Sequence, residues 1–133
     1  MADIQCELSR IVISETSDQQ MILLKEKEGD RKVPIIISIF EAIAIDRAIN
    51  KRPVIRPMTH DLIADMLNSL NAELERVTVT KIEDNTFYAE LQIRIGDEIK
   101  CIDARPSDSI AISVRLNTPV YVNEDVFNEA GMN

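Results

Sequence analysis

The sequence predicts an α+β domain built from two β-β-β-α-β-α units, with largely antiparallel sheets and helices packed against them, and three observations carry that expectation. First, Phe87, Ala89, Leu91, Ile93 and Ile95 alternate with Tyr88, Glu90, Gln92 and Arg94, the period of a half-buried strand. Second, Gly96-Asp97 directly after that run suits a two-residue hairpin turn, which argues for antiparallel pairing. Third, the chain resembles itself. Leu8, Arg10, Ile11 and Ile13 meet Leu74, Arg76, Val77 and Val79 at an offset of 66 (77 minus 11), and Asp18 meets Asp84. After one extra residue, Gly29-Asp30 meets Gly96-Asp97, Ile35 meets Ile102, and Glu41-Ala42-Ile43-Ala44-Ile45 meets Asp108-Ser109-Ile110-Ala111-Ile112 at 67 (108 minus 41). Two long copies do not make a solenoid. They predict one domain over 1–133, with repeat one at about 4–70 and repeat two at about 73–131 packed around a pseudo-two-fold axis.

Each element has its own local reason. Residues 4–14 are rich in β-branched side chains, Ser17-Asp18 supplies turn chemistry, and residues 21–24 form a second apolar run, so a hairpin is expected. Gly29-Asp30 turns the chain into the short buried strand Val33-Pro34-Ile35-Ile36-Ile37. Residues 39–50 are apolar except at Glu41, Asp46, Arg47 and Asn50 and predict a mostly buried helix. Pro53-Val54-Ile55 reads as a brief extended piece. Thr59 reads as the N-cap of a helix whose Leu62, Ile63, Met66, Leu67 and Leu70 share one face. In the second half, residues 74–82 predict a strand, Asp84-Asn85 a turn and residues 99–103 a strand. A buried helix over 106–116, a short strand at 120–122 and a helix over 123–130 stopped by Gly131 complete the chain.

Composition narrows the partners. The net charge of −8 opposes nonspecific binding of nucleic acid, which draws most of its free energy from Lys and Arg neutralising phosphates. A local basic patch, for example around Arg52 and Arg56, or a bound divalent cation would be needed to overcome it. No apolar run approaches the roughly 20 residues that span a bilayer, and no basic-then-apolar leader opens the chain, so a cytoplasmic protein with no membrane association is expected. Cys6 and Cys101 form no C-x-x-C pair, and neither a disulfide nor a zinc site is expected.

The segment Ile102-Asp103-Ala104-Arg105-Pro106-Ser107-Asp108 places two acids and an arginine where a strand gives way to a helix. Pro106 suits the first helical turn, and Ser107 or Asp108 can accept its free N–H groups. The structural reading is therefore a cap with an Asp-Arg pair. His60 is the only histidine, which excludes mechanisms that need two imidazoles in one chain. In Arg56-Pro57-Met58-Thr59-His60-Asp61 it is either a general base with Arg56 on a phosphate, or an exposed first-turn residue beside a dipole-favouring acid. Without paired histidines the workable phosphoryl chemistry is carboxylates holding Mg²⁺ or Mn²⁺. Asp103, Asp108, Asp61 and Glu41 are the candidates. Phosphate-loop, G-x-S-x-G and H-E-x-x-H motifs are absent, and no organic cofactor is expected.

Taken together, Arg56-Pro57-Met58-Thr59-His60-Asp61-Leu62, the 102–108 segment, Val33-Pro34-Ile35 leading to Phe40-Glu41-Ala42, and Asn85-Thr86-Phe87-Tyr88-Ala89 resemble the bifunctional nuclease domain family across about residues 4–130. The resemblance implies an α+β fold of duplicated units and, from the plant members, cleavage of RNA and DNA. The chain departs from the family pattern at Ser38, usually glycine, where the added Cβ is expected to restrict close approach of the backbone. The resulting expectation is hydrolysis of phosphodiester bonds. Asp103 and Asp108, with Glu41, would be metal ligands. His60 and Asp61 would join Asp103 and Asp108 as catalytic groups, and Arg56 and Arg105 would hold the substrate. The alternative is a noncatalytic scaffold whose acidic surface meets a protein partner. A homo-oligomer is compatible with either.

Overall fold

In the computed structural model, which describes residues 2–14, 16 and 19–132, the alternating runs become strands and the apolar 3.6-period runs become helices. The turn expected at Ser17-Asp18 and the match of Asp18 with Asp84 lie outside the described residues. Among the described residues the order is β1 (Asp3–Val12), β2 (Gln20–Glu26), β3 (Lys32–Ile37), α1 (Ile39–Ile49), α2 (Thr59–Ser69), β4 (Ala72–Glu83), β5 (Thr86–Ile95), β6 (Glu98–Ala104), α3 (Pro106–Leu116), β7 (Val120–Asn123) and α4 (Glu124–Ala130). The strands form one sheet ordered β3-β2-β1-β7-β4-β5-β6. Every neighbouring pair is antiparallel except β4 and β7, so the fold is α+β as expected.

The two meanders, β1-β2-β3 and β4-β5-β6, have two features in common. Each has its first strand innermost, and each carries a register shift at the same place, between Leu8 and Arg10 in β1 and between Leu74 and Arg76 in β4. The offset itself does not hold throughout. Ile11 faces Ile22 whereas Val77 faces Leu91, so β2 and β5 correspond at 69 (91 minus 22). The turns absorb the difference: β5 and β6 close tightly from Ile95 to Glu98, while β2 and β3 close from Lys25 to Lys32. Gly96 takes a φ of +60° in the tight turn, a conformation that glycine adopts without a Cβ penalty.

Three expectations are corrected. Pro53-Val54-Ile55 is not a strand but part of an exposed loop. The one position between β1 and β4 belongs to β7, which pairs with both, so the first half has no place for its counterpart. Secondly, α1 is only partly buried, through Ala42 and Ile45, because its outer face meets no further layer. On α2, likewise, Leu62, Met66 and Leu70 are exposed while Ile63, Ala64 and Leu67 turn inward. Thirdly, the N-cap of α2 is Met58, and Thr59 is the first helical residue.

The main core joins Ile22, Leu24, Val33 and Ile35 of the sheet to Ile45 of α1, Ile110 of α3 and Val126 of α4. Burying each such aliphatic side chain stabilises the fold by about 1.5–3 kcal/mol. A second cluster seats Ile63 and Leu67 of α2 and Ile112 of α3 over Leu74, Leu91 and Ile93, reaching Ala104 at the end of β6. Arg31 fastens α4 to the β2–β3 turn through Glu26 and Glu124, at 2.7 and 2.8 Å, and stacks over Phe127. The result brings the N-terminal ends of α1, α2 and α3 to neighbouring positions. No helix among the described residues is long and apolar enough to cross a membrane.

Candidate functional site at the helix starts

Each of these three helices carries a carboxylate at its third residue, and each uses it differently. In α1, Glu41 accepts hydrogen bonds from the backbone N–H of Ser38 at 3.3 Å and from the Ser38 hydroxyl. The nearby hydroxyl of buried Ser107 also favours its ionised form. Burial works against ionisation of Glu41, but these bonds and nearby Arg105 outweigh it, so the carboxyl titrates below its usual range. Ser38 has a φ of −86°, an ordinary extended conformation, so its Cβ causes no strain. The hydroxyl also adds a hydrogen bond that glycine would lack.

In α2, Asp61 accepts from the backbone N–H of Met58 at 3.0 Å and from Arg115 Nε at 2.5 Å. Arg115, whose side chain is only 10% exposed, spends its other N–H groups on the carbonyls of Ala111 and Ala44. The Arg115 bond, helped by the Met58 N–H, holds Asp61 below the usual carboxylate range. This residue therefore ties α2 to α3 and α1.

The arrangement in α3 differs. Arg105 is the N-cap and Pro106 opens the first turn, but Asp108 does not bond the cap backbone. One oxygen lies 2.9 Å from His60 Nε2 and the other 2.9 Å from Arg105 Nε. An ionised carboxylate only accepts, so Nε2 carries the proton in this pair and a neutral imidazole keeps its lone pair on Nδ1. The His60 side chain is 12% exposed and that of Arg105 66%, which leaves a guanidinium at the rim above a nearly enclosed imidazole. Arg105 also approaches Glu41 at 3.7 Å.

The structure thus gathers Glu41, His60, Arg105 and Asp108, with Asp61 held one step away by Arg115. It does not gather Asp103 or Arg56. Asp103 pairs in register with Glu90, and its neighbour Ala104 packs beneath α2 and α3. Successive strand residues point to opposite faces, so Asp103 lies on the face away from the helices. The expected Asp-Arg pair is formed by Asp108 and Arg105. Arg56 sits in the exposed loop before α2, outside the cleft formed by the gathered groups.

That cleft, of about 570 Å³, is lined by Phe40, Met58, His60, Arg105, Asp108 and Arg115, among others. Phe40 is 80% exposed, an open aromatic face beside a guanidinium. Sequence reasoning missed Phe40 and Arg115. Arg115 had a readable signal, since it lies seven residues after Asp108 and so on the same face of α3.

The expected cation set, Asp103, Asp108 and Glu41, is not assembled. Asp103 is on the other face, and the oxygens of Glu41 and Asp108 already accept from Ser38, His60 and Arg105. Mg²⁺ demands a near-octahedral oxygen shell. No three His, Cys, Asp or Glu side chains group for a metal among the described residues. The donor set as arranged does not fit the ion, and no step below passes through one.

Comparison with known proteins gives concordant matches. A family model described as the bifunctional nuclease domain covers residues 22–133. Uncharacterised proteins from two strains of Mycobacterium tuberculosis are 41% identical over 124 residues, covering 92% of this chain and 73% of theirs. Bifunctional nuclease 2 of Arabidopsis thaliana is 31% identical over 115 residues, covering 84% of this chain but 35% of the plant protein. Bifunctional nuclease 2 of Oryza sativa subsp. japonica is 28% identical over 124 residues, covering 90% of this chain and 38% of its own.

Proposed function

Since the chain belongs to the bifunctional nuclease domain family, we propose that it hydrolyses phosphodiester bonds of RNA or DNA in the cleft at the helix starts. The observation that supports this most is the His60-Asp108-Arg105 chain opening into that cleft. In this reading Arg105 binds the phosphate oxygens from the rim. His60 Nδ1 takes a proton from water as the water oxygen bonds to phosphorus, the ester P–O bond breaks, and the leaving oxygen takes a proton from solvent. Asp108 orients the imidazole and stabilises the imidazolium that forms, the part an acid plays behind a catalytic histidine.

A basic band answers the conflict between an acidic protein and a polyanionic substrate. Arg47 and Arg115 are shared between the cleft and a neighbouring one of about 370 Å³ that adds Lys51 and Arg52. Arg115 is paired with Asp61 and Arg52 lies 3.5 Å from Asp46, so the local excess of positive charge comes chiefly from Arg47 and Lys51. One observation favours a binding module without cleavage: the carboxylates of Glu41 and Asp108 are fully engaged within the protein.

Cleavage of labelled single-stranded RNA and DNA by identically purified proteins, with and without chelator, separates the readings. His60→Ala should lose on the order of a hundredfold in rate, and Asp108→Asn should lose rate as well. Asp103→Asn, altered on the opposite face, should match the wild type. Equal residual cleavage in all four proteins means contamination and rejects the enzyme reading. Loss of rate in Asp103→Asn alone would move the site to the other face of the sheet.

A further inference from the structure

Two of the sequence segments that carry the family resemblance, Val33-Pro34-Ile35 and Asn85-Thr86-Phe87, lie outside the cleft just described. They meet in another. A cleft of about 650 Å³ runs between β3 and the β4–β5 turn, and its walls include Pro34, Ile36, Asn85, Thr86 and Phe87. Its lining also includes Ser38, Pro106, Ser107, Glu41 and Arg105, and the last two also bound the His60 cleft. Arg105 therefore stands on a ridge between two hollows, with Ile36, 61% exposed, in one and Phe40 in the other. Beyond the His60 cleft, Arg47 and Arg115 lead to the third hollow with Lys51 and Arg52. Apolar wall, guanidinium ridge, aromatic wall and basic hollow follow one another in that order.

We infer that these three clefts are one track for an unpaired stretch of nucleic acid. One base lies in the β3–β5 cleft, with Asn85 and Thr86 at its polar edge. The reacting phosphate sits on Arg105, the next base lies on Phe40, and the following phosphate reaches Arg47 and Arg52. This rests on the reading of Arg105 and His60 as the phosphodiester site, and it adds the substrate class: internal linkages of single strands with a nucleotide on each side. The chemistry of the walls excludes a duplex, because base faces can meet apolar and aromatic side chains only when unstacked. The cations on the ridge and in the basic hollow are few, so the footprint is short, on the order of three nucleotides.

The test measures binding of fluorescein-labelled oligothymidylates of one to eight nucleotides, and of a hairpin duplex, in chelator at low salt, by anisotropy. Affinity should climb up to about three or four nucleotides, then level off, and the duplex should bind more weakly. Ile36→Glu, at an exposed position, should weaken the longer oligomers about tenfold, the usual worth of one base contact, while leaving the mononucleotide unchanged. Arg52→Glu should weaken only oligomers long enough to reach it and lower the salt dependence by about one unit of slope. Both variants should keep the melting temperature of the wild type. Unchanged affinity in Ile36→Glu, or a duplex bound as tightly as the single strand, overturns the track. Length-dependent binding that survives in a protein unable to cleave keeps the track and overturns the hydrolase reading alone. Absence of binding by the wild type overturns both.

Discussion

The starts of α1 and α3 hold an acid at the same helical position, yet Glu41 turns back to its own N-cap while Asp108 turns away from it. Asp61 at the start of α2 bonds its own N-cap backbone as Glu41 does, and also Arg115 of α3. An acid three residues after the cap is a helix-start signal wherever it occurs, so the signal alone cannot tell the three apart. Asp108 differs because His60 and the side chain of its own N-cap residue, Arg105, are both within reach and compete successfully for its oxygens. A local rule is overridden where two helices meet, and the override marks the candidate site.

Removing each acid should separate the three roles, in the order of their structural importance. Asp61→Ala leaves the nearly buried Arg115 without its partner and should cost about 2–3 kcal/mol, toward the low end for breaking a buried pair because Asp61 is partly solvated. Urea denaturation measures this. Glu41→Gln weakens one cap and should cost about 1 kcal/mol. Asp108→Asn should change stability by less than about 1 kcal/mol, since its arginine partner is mostly in solvent, while still lowering the cleavage rate. A large stability loss in Asp108→Asn with unchanged activity would erase the contrast and leave a purely structural network.

The same contrast should appear in the dependence of stability on pH. Asp61 and Glu41 titrate lower in the folded chain than their unfolded values of 3.8 and 4.5. The stability they contribute is therefore complete above that range and is lost as pH falls through the lower folded values. Acid unfolding followed by circular dichroism should be less steep below about pH 4 in Asp61→Asn than in the wild type. An unchanged acid limb would mean that the Arg115 pair contributes little.

Much of this fold could be read from the chain, and the failures have physical causes. The alternation from Phe87 to Ile95 and the Gly96-Asp97 turn are local signals, and both appear as strand and hairpin. Pro53-Val54-Ile55 and Pro119-Val120-Tyr121-Val122 look alike locally, but only the second finds partners, because strand pairing here is decided by distant residues. Asp103 enters the expected site as part of the polar 102–108 segment that carries the resemblance. The parity of its strand is ambiguous in sequence, because Ile99 and Cys101 share the side of Asp103 while Lys100 and Ile102 share that of Ala104; only the packing of Ala104 decides it. The convergence of His60, Asp108 and Arg105 was legible only as a possibility, since 48 residues separate the first two and nothing local fixes the approach of α2 to α3.

The position of β7 bears on how the molecule comes into being. Residues 120–123 fill the seam between β1 and β4, so the sheet joins the two meanders only once β7 has been made. Before that point each three-stranded piece has an unprotected inner edge, and only helix packing joins them. The last strand therefore acts as a keystone, and a protein cut short at residue 117 should yield two weakly associated, aggregation-prone halves in place of a slightly smaller domain.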